Sequence, residues 1–212
     1  MSTLFTVIRH GETVANRNCV IQGQCDVPLS PAGEEQAKLL ARRWKNRRFD
    51  AVYSSDLSRA VRTAEIVTGG VKPVLAPELR EMDLGEWVGH TTAEVAERYP
   101  EEWRAFRSAS VECRATGGES RRELLERVTR FFRAAAERHP DRNVLVVTHG
   151  GALRAFFLML MGGSLNASAL LPSTGNTGIS TVRYDPETDR WRIISWNDTA
   201  HLEALTNGDD VY

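Results

Sequence analysis

Short apolar runs alternate with amphipathic segments along this chain. Six runs have the length and the apolar or β-branched character of strands: Leu4–Ile8, Ala51–Tyr53, Val74–Ala76, Asn143–Thr148, Thr177–Tyr184 and Trp191–Trp196. The fourth run contains four consecutive Val and Leu residues, as is typical of a strand buried on both faces. The stretch Asn16–Pro28 is polar and contains glycine, which predicts a loop.

Apolar residues at helical spacing fill most of the intervals between these runs. Five helices are predicted, beginning at Ser30-Pro31, at Ser55 or Asp56, at the capping box Thr91-x-x-Glu94, at the capping box Ser120-x-x-Glu123, and at Gly150. Gly69-Gly70, Pro140 and Met161 mark the ends of the second, fourth and fifth. Strands that alternate with helices predict an α/β fold: a three-layer α/β/α sandwich with a mostly parallel central sheet and helices on both faces.

The composition is that of an ordinary globular domain. The chain has 212 residues, of which 42% are hydrophobic and 26% charged, so we expect one domain over residues 1–212. The formal net charge of −1 argues against nucleic acid as the main partner, because binding to nucleic acid requires an excess of basic residues. Any anion site must therefore concentrate its basic groups locally.

The sequence predicts neither a membrane span nor a secretory leader. The longest apolar stretch, Ala155 to Met161, is far too short to cross a bilayer. The first residues lack a basic segment followed by an apolar one. The three cysteines, Cys19, Cys25 and Cys113, are few and odd in number. Together these features predict a cytoplasmic setting in which Cys19 and Cys25 are not bonded to each other.

Two of the predicted strands end in histidine followed by glycine. The first reads Ile8-Arg9-His10-Gly11 and the other Val147-Thr148-His149-Gly150. If both strands are central and parallel, their carboxyl ends meet at one edge of the sheet, where open α/β sheets bind ligands. Histidine can be a nucleophile, and arginine is a forked partner for phosphate. Gly150 also opens a helix, whose free amides favour an anion.

Two further segments carry residues suited to the same chemistry. Arg59 lies about one turn into the second predicted helix, from which it can reach the crevice between the two histidines. Arg62 either flanks that crevice or, as the plainer interpretation, is solvated. The segment Leu79–Gly89 is loop-like and rich in acids and glycine. The chain thus offers two histidines, fixed cations and a choice of carboxylates for one site.

With these four segments the chain resembles the histidine phosphatase superfamily, in its phosphoglycerate-mutase-like branch. The segments are Arg-His-Gly-Glu-Thr from residue 9, Ser-Ser-Asp-Leu-x-Arg-Ala-x-x-Thr-Ala from residue 54, Leu-Arg-Glu-Met-Asp-Leu-Gly-Glu-Trp-x-Gly from residue 79, and Thr-His-Gly-Gly from residue 148. One such motif is weakly specific, but four in the family's order, spread over nearly the whole chain, are strongly specific.

The resemblance implies a role for each matching position. His10 is expected to be the nucleophile that takes the phosphoryl group as a phosphohistidine. Glu81 is expected to protonate the leaving oxygen and later to activate water. Arg9, Arg59 and His149 are expected to bind the phosphoryl oxygens. Four positions match pocket and rim residues that touch substrate in relatives: Asn16, Gln22, Gly23 and Gly150. No cofactor is implied, and no step requires a metal.

Phosphoryl transfer sets conditions on the protonation of these groups. His10 needs a lone pair at one ring nitrogen, so we expect a hydrogen bond at the other to fix its tautomer. We expect His149 to be cationic, as a clamp on the phosphoryl oxygens. The two arginines keep their protons near neutral pH. Glu81 must carry a proton when it acts as the acid.

Some of these assignments have rivals. Glu12, Asp83 and Glu86 compete with Glu81 for the role of the acid, and an ion pair with Arg80 is the plainer interpretation of Glu81 itself.

The remaining histidines predict no metal centre. The five histidines lack the ligand spacing of a zinc site. His201 is expected to be structural.

Residues 91–118, the expected substrate-specificity cap, bear on which reaction is catalysed. They contain no lysine and four arginines, Arg98, Arg104, Arg107 and Arg114. Cofactor-dependent mutases of the family are usually longer here, with basic residues for a second carboxylate or phosphate. We therefore predict a metal-independent phosphomonoesterase that acts on small phosphorylated metabolites.

Several alternatives stay open. Within the enzyme class they are a 2,3-bisphosphoglycerate-dependent phosphoglycerate mutase and a dedicated α-ribazole phosphate or glucosyl-3-phosphoglycerate phosphatase. Outside it, the alternative is a non-catalytic phospho-ligand binder on the same fold. The natural substrate and a homodimer formed through an exposed edge strand are equally undecided by the sequence.

Overall fold

The computed structural model describes residues 2–108, 112–162 and 174–203. Its strands are β1 (Thr3–Arg9), β2 (Ala51–Ser54), β3 (Val74–Leu75), β4 (Asn143–Thr148), β5 (Ile179–Asp185) and β6 (Arg190–Asp198). They form a six-stranded sheet in the order β3-β2-β4-β1-β5-β6. The first four strands run parallel, whereas β5 and β6 are antiparallel to their neighbours. The predicted mostly parallel α/β architecture is confirmed.

Helices cover both faces of this sheet. In the part of the chain that the structure describes they are α1 (Val14–Arg17), α2 (Pro31–Arg43), α3 (Ser58–Thr68), α4 (Thr92–Arg98), α5 (Pro100–Arg107), α6 (Arg121–Arg138) and α7 (Gly150–Leu160). The predicted capping boxes at the starts of α4 and α6 are present. None of these described helices combines the length and the apolar character needed to span a membrane.

The alternation of side chains along the strands divides the interior into two cores. In β1, Phe5 and Val7 pack on the face covered by α6 and α7, while Ile8 packs on the face covered by α2 and α3. Phe132 and Phe156 stack in the first core with ring centroids 3.7 Å apart. Because both faces of β1 and β4 are buried, their carboxyl ends are held rigidly between two packed layers.

A third, smaller apolar cluster lies between α4, α5 and the loop that follows β3. Trp87, fully buried, is its centre, and it packs edge-to-face on Trp103 and Phe106. The Trp87 indole N–H donates to Glu102 at 3.2 Å. This cluster fixes α4 and α5 against the loop rather than against the main sheet.

Some local predictions are wrong. Residues 16 and 17 of the predicted loop Asn16–Pro28 belong to α1, which Thr13 and Asn16 close with a capping box. Neither Ser55 nor Asp56 caps α3: its N-cap is Leu57, which has no side-chain hydrogen bond to offer.

Two further local features concern the backbone of Thr177 and the three cysteines. Thr177 lies ahead of β5, with a positive φ of 55°. Cys19, Cys25 and Cys113 are free thiols.

Candidate active site

The two histidines that follow β1 and β4 lie side by side. The strands pair in parallel, with Arg9 opposite Thr148. The backbone N–H of His10 donates to the Thr148 carbonyl at 2.9 Å. The ring centroids of His10 and His149 are 5.0 Å apart, with their planes at 59°. Both side chains are buried. The parallel register therefore brings the two strand ends into one crevice, as predicted.

The hydrogen bonding of His10 defines its tautomer. Its Nδ1 lies 2.7 Å from the Gly11 carbonyl oxygen, and a carbonyl oxygen only accepts, so Nδ1 carries the proton. Nε2 then holds the lone pair. Burial lowers the pKa of His10 well below its usual value, and the charges of Arg9 and Arg59 lower it further. The ring is therefore neutral near pH 7, with Nε2 as a base or nucleophile.

His149 was expected to be cationic as a clamp on the phosphoryl oxygens, whereas the protein's own surroundings favour its neutral form. Burial, followed by His10, Arg59 and Arg9, lowers the pKa of His149 well below its usual value. Neither of its ring nitrogens has a hydrogen-bond partner among the described residues. Only negative charge brought by a ligand would reverse this balance.

Arg9 and Arg59 are fixed beside the histidines by backbone carbonyls. Arg9 donates from Nη1 to Thr174 O at 2.6 Å, and Arg59 donates to the carbonyls of Cys25 and Gly23 at 2.7 and 2.9 Å. Burial lowers the pKa of both guanidiniums, and the Glu81 carboxylate opposes that effect. Both Nε–H groups are buried without a partner among the described residues. These unused donors suit an oxyanion.

Glu81 lies at the amino end of α7. Its Oε1 accepts from the N–H groups of Gly151 and Met82, at 2.9 and 2.8 Å. A Cβ at position 151 would lie 2.1 Å from that oxygen, so the close approach requires glycine there. The carboxylate is thereby placed between the helix amides and Arg9.

The three rival acids have other partners. Glu12 accepts from Arg17 and Ser30, Asp83 accepts from the N–H of Gly85, and Glu86 accepts from the hydroxyl of Tyr99. Arg80, with which an ion pair was the alternative interpretation of Glu81, donates to Asp56 instead. The geometry therefore favours Glu81 for the acid.

A cavity of about 370 Å³ opens beside Arg9 and Glu81. Its described lining is mostly apolar apart from Arg9, Glu81, Arg121, Arg154 and Thr174, and the remaining residues are Met82, Leu84, Phe106, Leu124, Gly150, Gly151, Ala155, Leu158 and Trp196. Gly150, Arg154 and Leu158 lie on one face of α7, because residues four apart in a helix are neighbours. The cavity thus extends along α7, away from the two histidines.

Comparison with known proteins identifies the family of this chain. The profile of the histidine phosphatase superfamily (branch 1) matches residues 5–199. The chain belongs to the histidine phosphatase superfamily.

Named relatives of this histidine phosphatase specify the class of reaction. A metal-independent phosphoserine phosphatase of Arabidopsis thaliana is 36% identical over 208 residues, which are 96% of this chain and 84% of that protein. The phosphoglycerate mutase-like protein 4 of the same plant is 35% identical over 202 residues, 93% of this chain and 86% of that one. The crystal structure of a phosphoserine phosphatase mutant from Entamoeba histolytica in complex with phosphoserine is 29% identical, with a TM-score of 0.85, and the match covers 94% of this chain and 99% of that one. The chain is a phosphoric monoester hydrolase.

The predicted binding residues of this histidine phosphatase occupy the rim of the crevice. The side-chain oxygens of Asn16 and Gln22 lie 3.1 and 2.9 Å from the Thr13 hydroxyl oxygen and share its single hydrogen. Gly23 contributes its carbonyl to Arg59. Gly150 lies beside Arg9, whose Cζ would be 3.7 Å from a Cβ placed there.

Arg62 lies outside the rim. It is half exposed and paired with Glu34, in agreement with its plainer interpretation.

Sequence reasoning missed two groups that support the site. Arg127 of α6 donates to the backbone carbonyls of Glu78, Arg80 and Glu81, at 2.7, 2.8 and 2.9 Å, and so fixes the loop that carries Glu81. In the sequence, Arg127 is indistinguishable from the other charged residues on the polar face of an amphipathic helix.

The second missed group is the turn Thr174–Gly178, in which Asn176 donates to the His10 carbonyl at 3.0 Å. The signal that would have found it is topological: β5 is antiparallel to β1, so the start of β5 meets the end of β1.

Proposed function

We propose that this histidine phosphatase hydrolyses small phosphomonoesters through a phosphohistidine on His10, with Glu81 as general acid and base. The observation that carries the proposal is the state of His10, whose Nδ1–H is held by the Gly11 carbonyl while Nε2 keeps its lone pair. Two guanidiniums whose buried Nε–H groups have no partner among the described residues adjoin that ring. A neutral nucleophile among fixed cations is what attack on an anionic phosphoryl group requires.

The reaction takes two displacements. First, Nε2 of His10 attacks phosphorus, the ester P–O bond breaks, and protonated Glu81 gives its proton to the departing oxygen. Second, the Glu81 carboxylate takes a proton from water, the water oxygen attacks phosphorus, and the P–N bond breaks. Inorganic phosphate leaves, and His10 and protonated Glu81 are restored.

The remaining polar groups stabilise charge on the phosphoryl oxygens. Arg9 and Arg59 supply fixed donors, and the Gly150 amide adds the positive end of α7. His149 is neutral in the field of the protein alone. A bound phosphoryl dianion opposes the effect of burial on its pKa and favours the imidazolium, so His149 becomes a cationic donor when the substrate is present.

The cavity indicates the kind of organic group that the substrate carries. Its apolar walls suit a carbon skeleton, and Arg154 and Arg121 face it from α7 and α6. Arg154 is exposed and has no ion-pair partner among the described residues. A second negative charge on the leaving group suits this lining, and phosphoserine and 3-phosphoglycerate are candidate substrates with such a charge. Residues 91–118 would then act as the specificity cap.

The proposal is tested with purified enzyme in EDTA. Phosphate release is measured from 4-nitrophenyl phosphate, phosphoserine and 3-phosphoglycerate, with and without 2,3-bisphosphoglycerate. Metal-independent phosphate release supports the phosphatase. Conversion of 3-phosphoglycerate to the 2-isomer without phosphate release would instead make the enzyme a mutase. Binding without turnover would leave a phospho-ligand binder.

His10→Ala is the decisive variant. We expect a loss of turnover on the order of 10⁴-fold or more for every substrate, because no other group can form the covalent intermediate. Its far-ultraviolet circular dichroism should match that of the wild type. Trapping of an alkali-stable phosphoenzyme from labelled substrate should succeed in the wild type and fail in this variant. Full activity in His10→Ala would sink the mechanism.

A cytoplasmic setting and a homodimer belong to the same proposal. Free thiols at Cys19, Cys25 and Cys113 support a reducing compartment. The edge strand β6 leaves Ile194 half exposed, which is a surface through which a second copy would pair. Sedimentation velocity at micromolar concentration distinguishes monomer from dimer.

A further inference from the structure

Thr177 combines three features that rarely occur together. It is fully buried and β-branched, and its φ is 55°, in the left-handed region. A β-branched residue is strained there and persists only where its surroundings fix it. Its N–H donates to the carbonyls of both Arg9 and His10, at 3.1 and 3.3 Å. The strained conformation therefore aims a backbone donor at the end of the nucleophile's strand.

His201 holds the side chain of this strained residue. The Thr177 hydroxyl donates to Asn176 O at 2.7 Å. Since that hydrogen is already used, the 2.8 Å contact between the hydroxyl oxygen and His201 Nε2 requires the imidazole to donate. His201 is itself buried, and its Nδ1 has no partner among the described residues. The ring is thus the Nε2–H tautomer, with a lone pair at Nδ1.

The surroundings of His201 keep its ring neutral and in place. Burial lowers the pKa of His201, and Arg43 lowers it further, while Asp198 opposes both. Asp198 accepts two hydrogen bonds from Arg43 at 3.0 and 2.6 Å and a third from the N–H of Ala200 at 3.0 Å. The short turn Ala200–Leu202 is therefore tied to α2, and the imidazole is presented to Thr177 from a fixed position.

The turn that contains Thr177 meets the catalytic strand at several points. Thr174 offers its carbonyl to the Arg9 guanidinium, Asn176 donates to the His10 carbonyl, and Thr177 donates to both backbone carbonyls. A change in the Thr177 backbone would therefore displace the nucleophile and one phosphoryl-binding cation together. Displacements near 1 Å are enough to cost about 10²-fold in rate.

We propose that His201 is a positioning residue for the phosphoryl-transfer step: through its Nε2–H it keeps Thr177 in the left-handed conformation that fixes Arg9 and His10. The proposal rests on His10 being the nucleophile. It gives a function to a buried histidine for which the mechanism has no use.

The first test compares variants that keep or remove the donor. Glutamine presents an amide N–H near the position of Nε2, whereas phenylalanine fills the space without a donor. We expect His201→Phe to lower kcat 10- to 100-fold, at the order of magnitude set by misplacement, with KM within about twofold, and His201→Gln to keep most of kcat. Wild-type kcat in His201→Phe would overturn the proposal.

His139→Phe is the matched control. His139 lies at the far end of α6 and is bonded to the Tyr53 hydroxyl at 2.8 Å, so the change also deletes a histidine hydrogen bond but leaves the site untouched. Urea unfolding of both variants compares their stability. An equal fall of kcat in His139→Phe and His201→Phe would show a general effect of destabilisation and contradict the proposal.

Glycine at position 177 gives a rescue. Glycine adopts a left-handed φ without strain, so in the His201→Phe background we expect Thr177→Gly to recover at least severalfold in kcat. No recovery would contradict the role assigned to the conformation. If His201→Phe does not fold, Thr177→Val removes the hydroxyl at constant shape and should show the same loss of kcat, while wild-type kcat would overturn the proposal.

Nitrogen-15 spectra of the histidine rings separate this proposal from the catalytic one. The wild type should show His10 protonated at Nδ1 and His201 at Nε2, whether or not any substrate is hydrolysed. In His201→Phe, but not in His139→Phe, the His10 ring resonances should shift or broaden. Unchanged His10 resonances would overturn the positioning role even in an active enzyme, and an inactive wild type with these spectral changes would overturn only the proposed function.

Discussion

In the proposed mechanism the site has a phosphoryl end and an organic end, and the two differ in construction. At the phosphoryl end, Arg59, His10 and His149 are almost wholly buried, and carbonyls at the ends of strands and loops hold the cations. At the organic end, Arg154 is exposed, and Arg121 stacks over Phe106, its Cζ 4.1 Å from the ring centroid. One end is fixed by buried polar contacts and the other is mostly an apolar surface with charges at its border.

This difference teaches which part of the site is open to change. Replacing a buried, hydrogen-bonded group leaves its partners unsatisfied, whereas replacing a residue on an apolar wall mainly changes shape. The helices α4 and α5 lie beside the organic end. Val95 is the one buried residue of α4, and α5 has none. We expect the chemistry to tolerate few substitutions and the substrate preference to tolerate many.

The largest effect that tests this division concerns Glu81. Glu81→Gln should slow the first displacement about 10²- to 10³-fold for phenyl phosphate, whose leaving oxygen needs the proton, and much less for 4-nitrophenyl phosphate. Pre-steady-state release of phenol and of 4-nitrophenol, the products of the first displacement, measures it. Glu86→Gln is the matched control, because Glu86 is bonded to Tyr99. A dependence on the leaving group in Glu86→Gln, and not in Glu81→Gln, would show that the acid is Glu86 and that the assignment to Glu81 is wrong.

A smaller effect should appear at the organic end. Arg154→Gln should lower the ratio of kcat/KM for 4-carboxyphenyl phosphate over 4-carbamoylphenyl phosphate about tenfold, the size expected for one charged hydrogen bond. The neutral amide has the same shape as the acid, and comparing the ratio between enzymes cancels the difference in leaving group. Arg122→Gln, whose arginine pairs with Glu112, should keep the wild-type ratio. An unchanged ratio in Arg154→Gln would show that Arg154 does not bind a negative charge on the leaving group.

The smallest effect concerns acid stability at the phosphoryl end. The pKa values of His10 and His149 are depressed in the folded state, so below about pH 6.5, the usual value, the unfolded chain binds protons that the folded chain does not. Stability therefore falls as the pH drops, by about 1.4 kcal/mol per unit for each histidine. Urea unfolding at pH 7.5 and 5.5 should show a smaller loss for His149→Asn than for the wild type. An equal loss would contradict the buried, neutral imidazole.

The sequence predicted the parts of the site that local signals encode. A strand run that ends in His-Gly identifies His10 and His149 together with the sheet edge on which they lie, and the helix cap and glycine signals place α6 and the end of α3. The contacts made by Arg127 and Thr177 could not be predicted, because they join segments far apart in the chain and have no periodic signature. The neutral state of His149 in the ligand-free protein could not be predicted for a related reason, since burial depends on all the layers around it.

The order of strands in the sheet has a consequence for how the enzyme is made. His10, the proposed nucleophile, follows β1, but the neighbours of β1 in the sheet are β4 and β5, which leave the ribosome much later than β1. Until both have emerged, His10 lacks His149 on one side and the turn of Asn176 and Thr177 on the other. Pairing between such distant segments is slow, because a large loop must close first. A nascent chain that has not yet released β4 and β5 therefore carries the proposed nucleophile without the rest of its site.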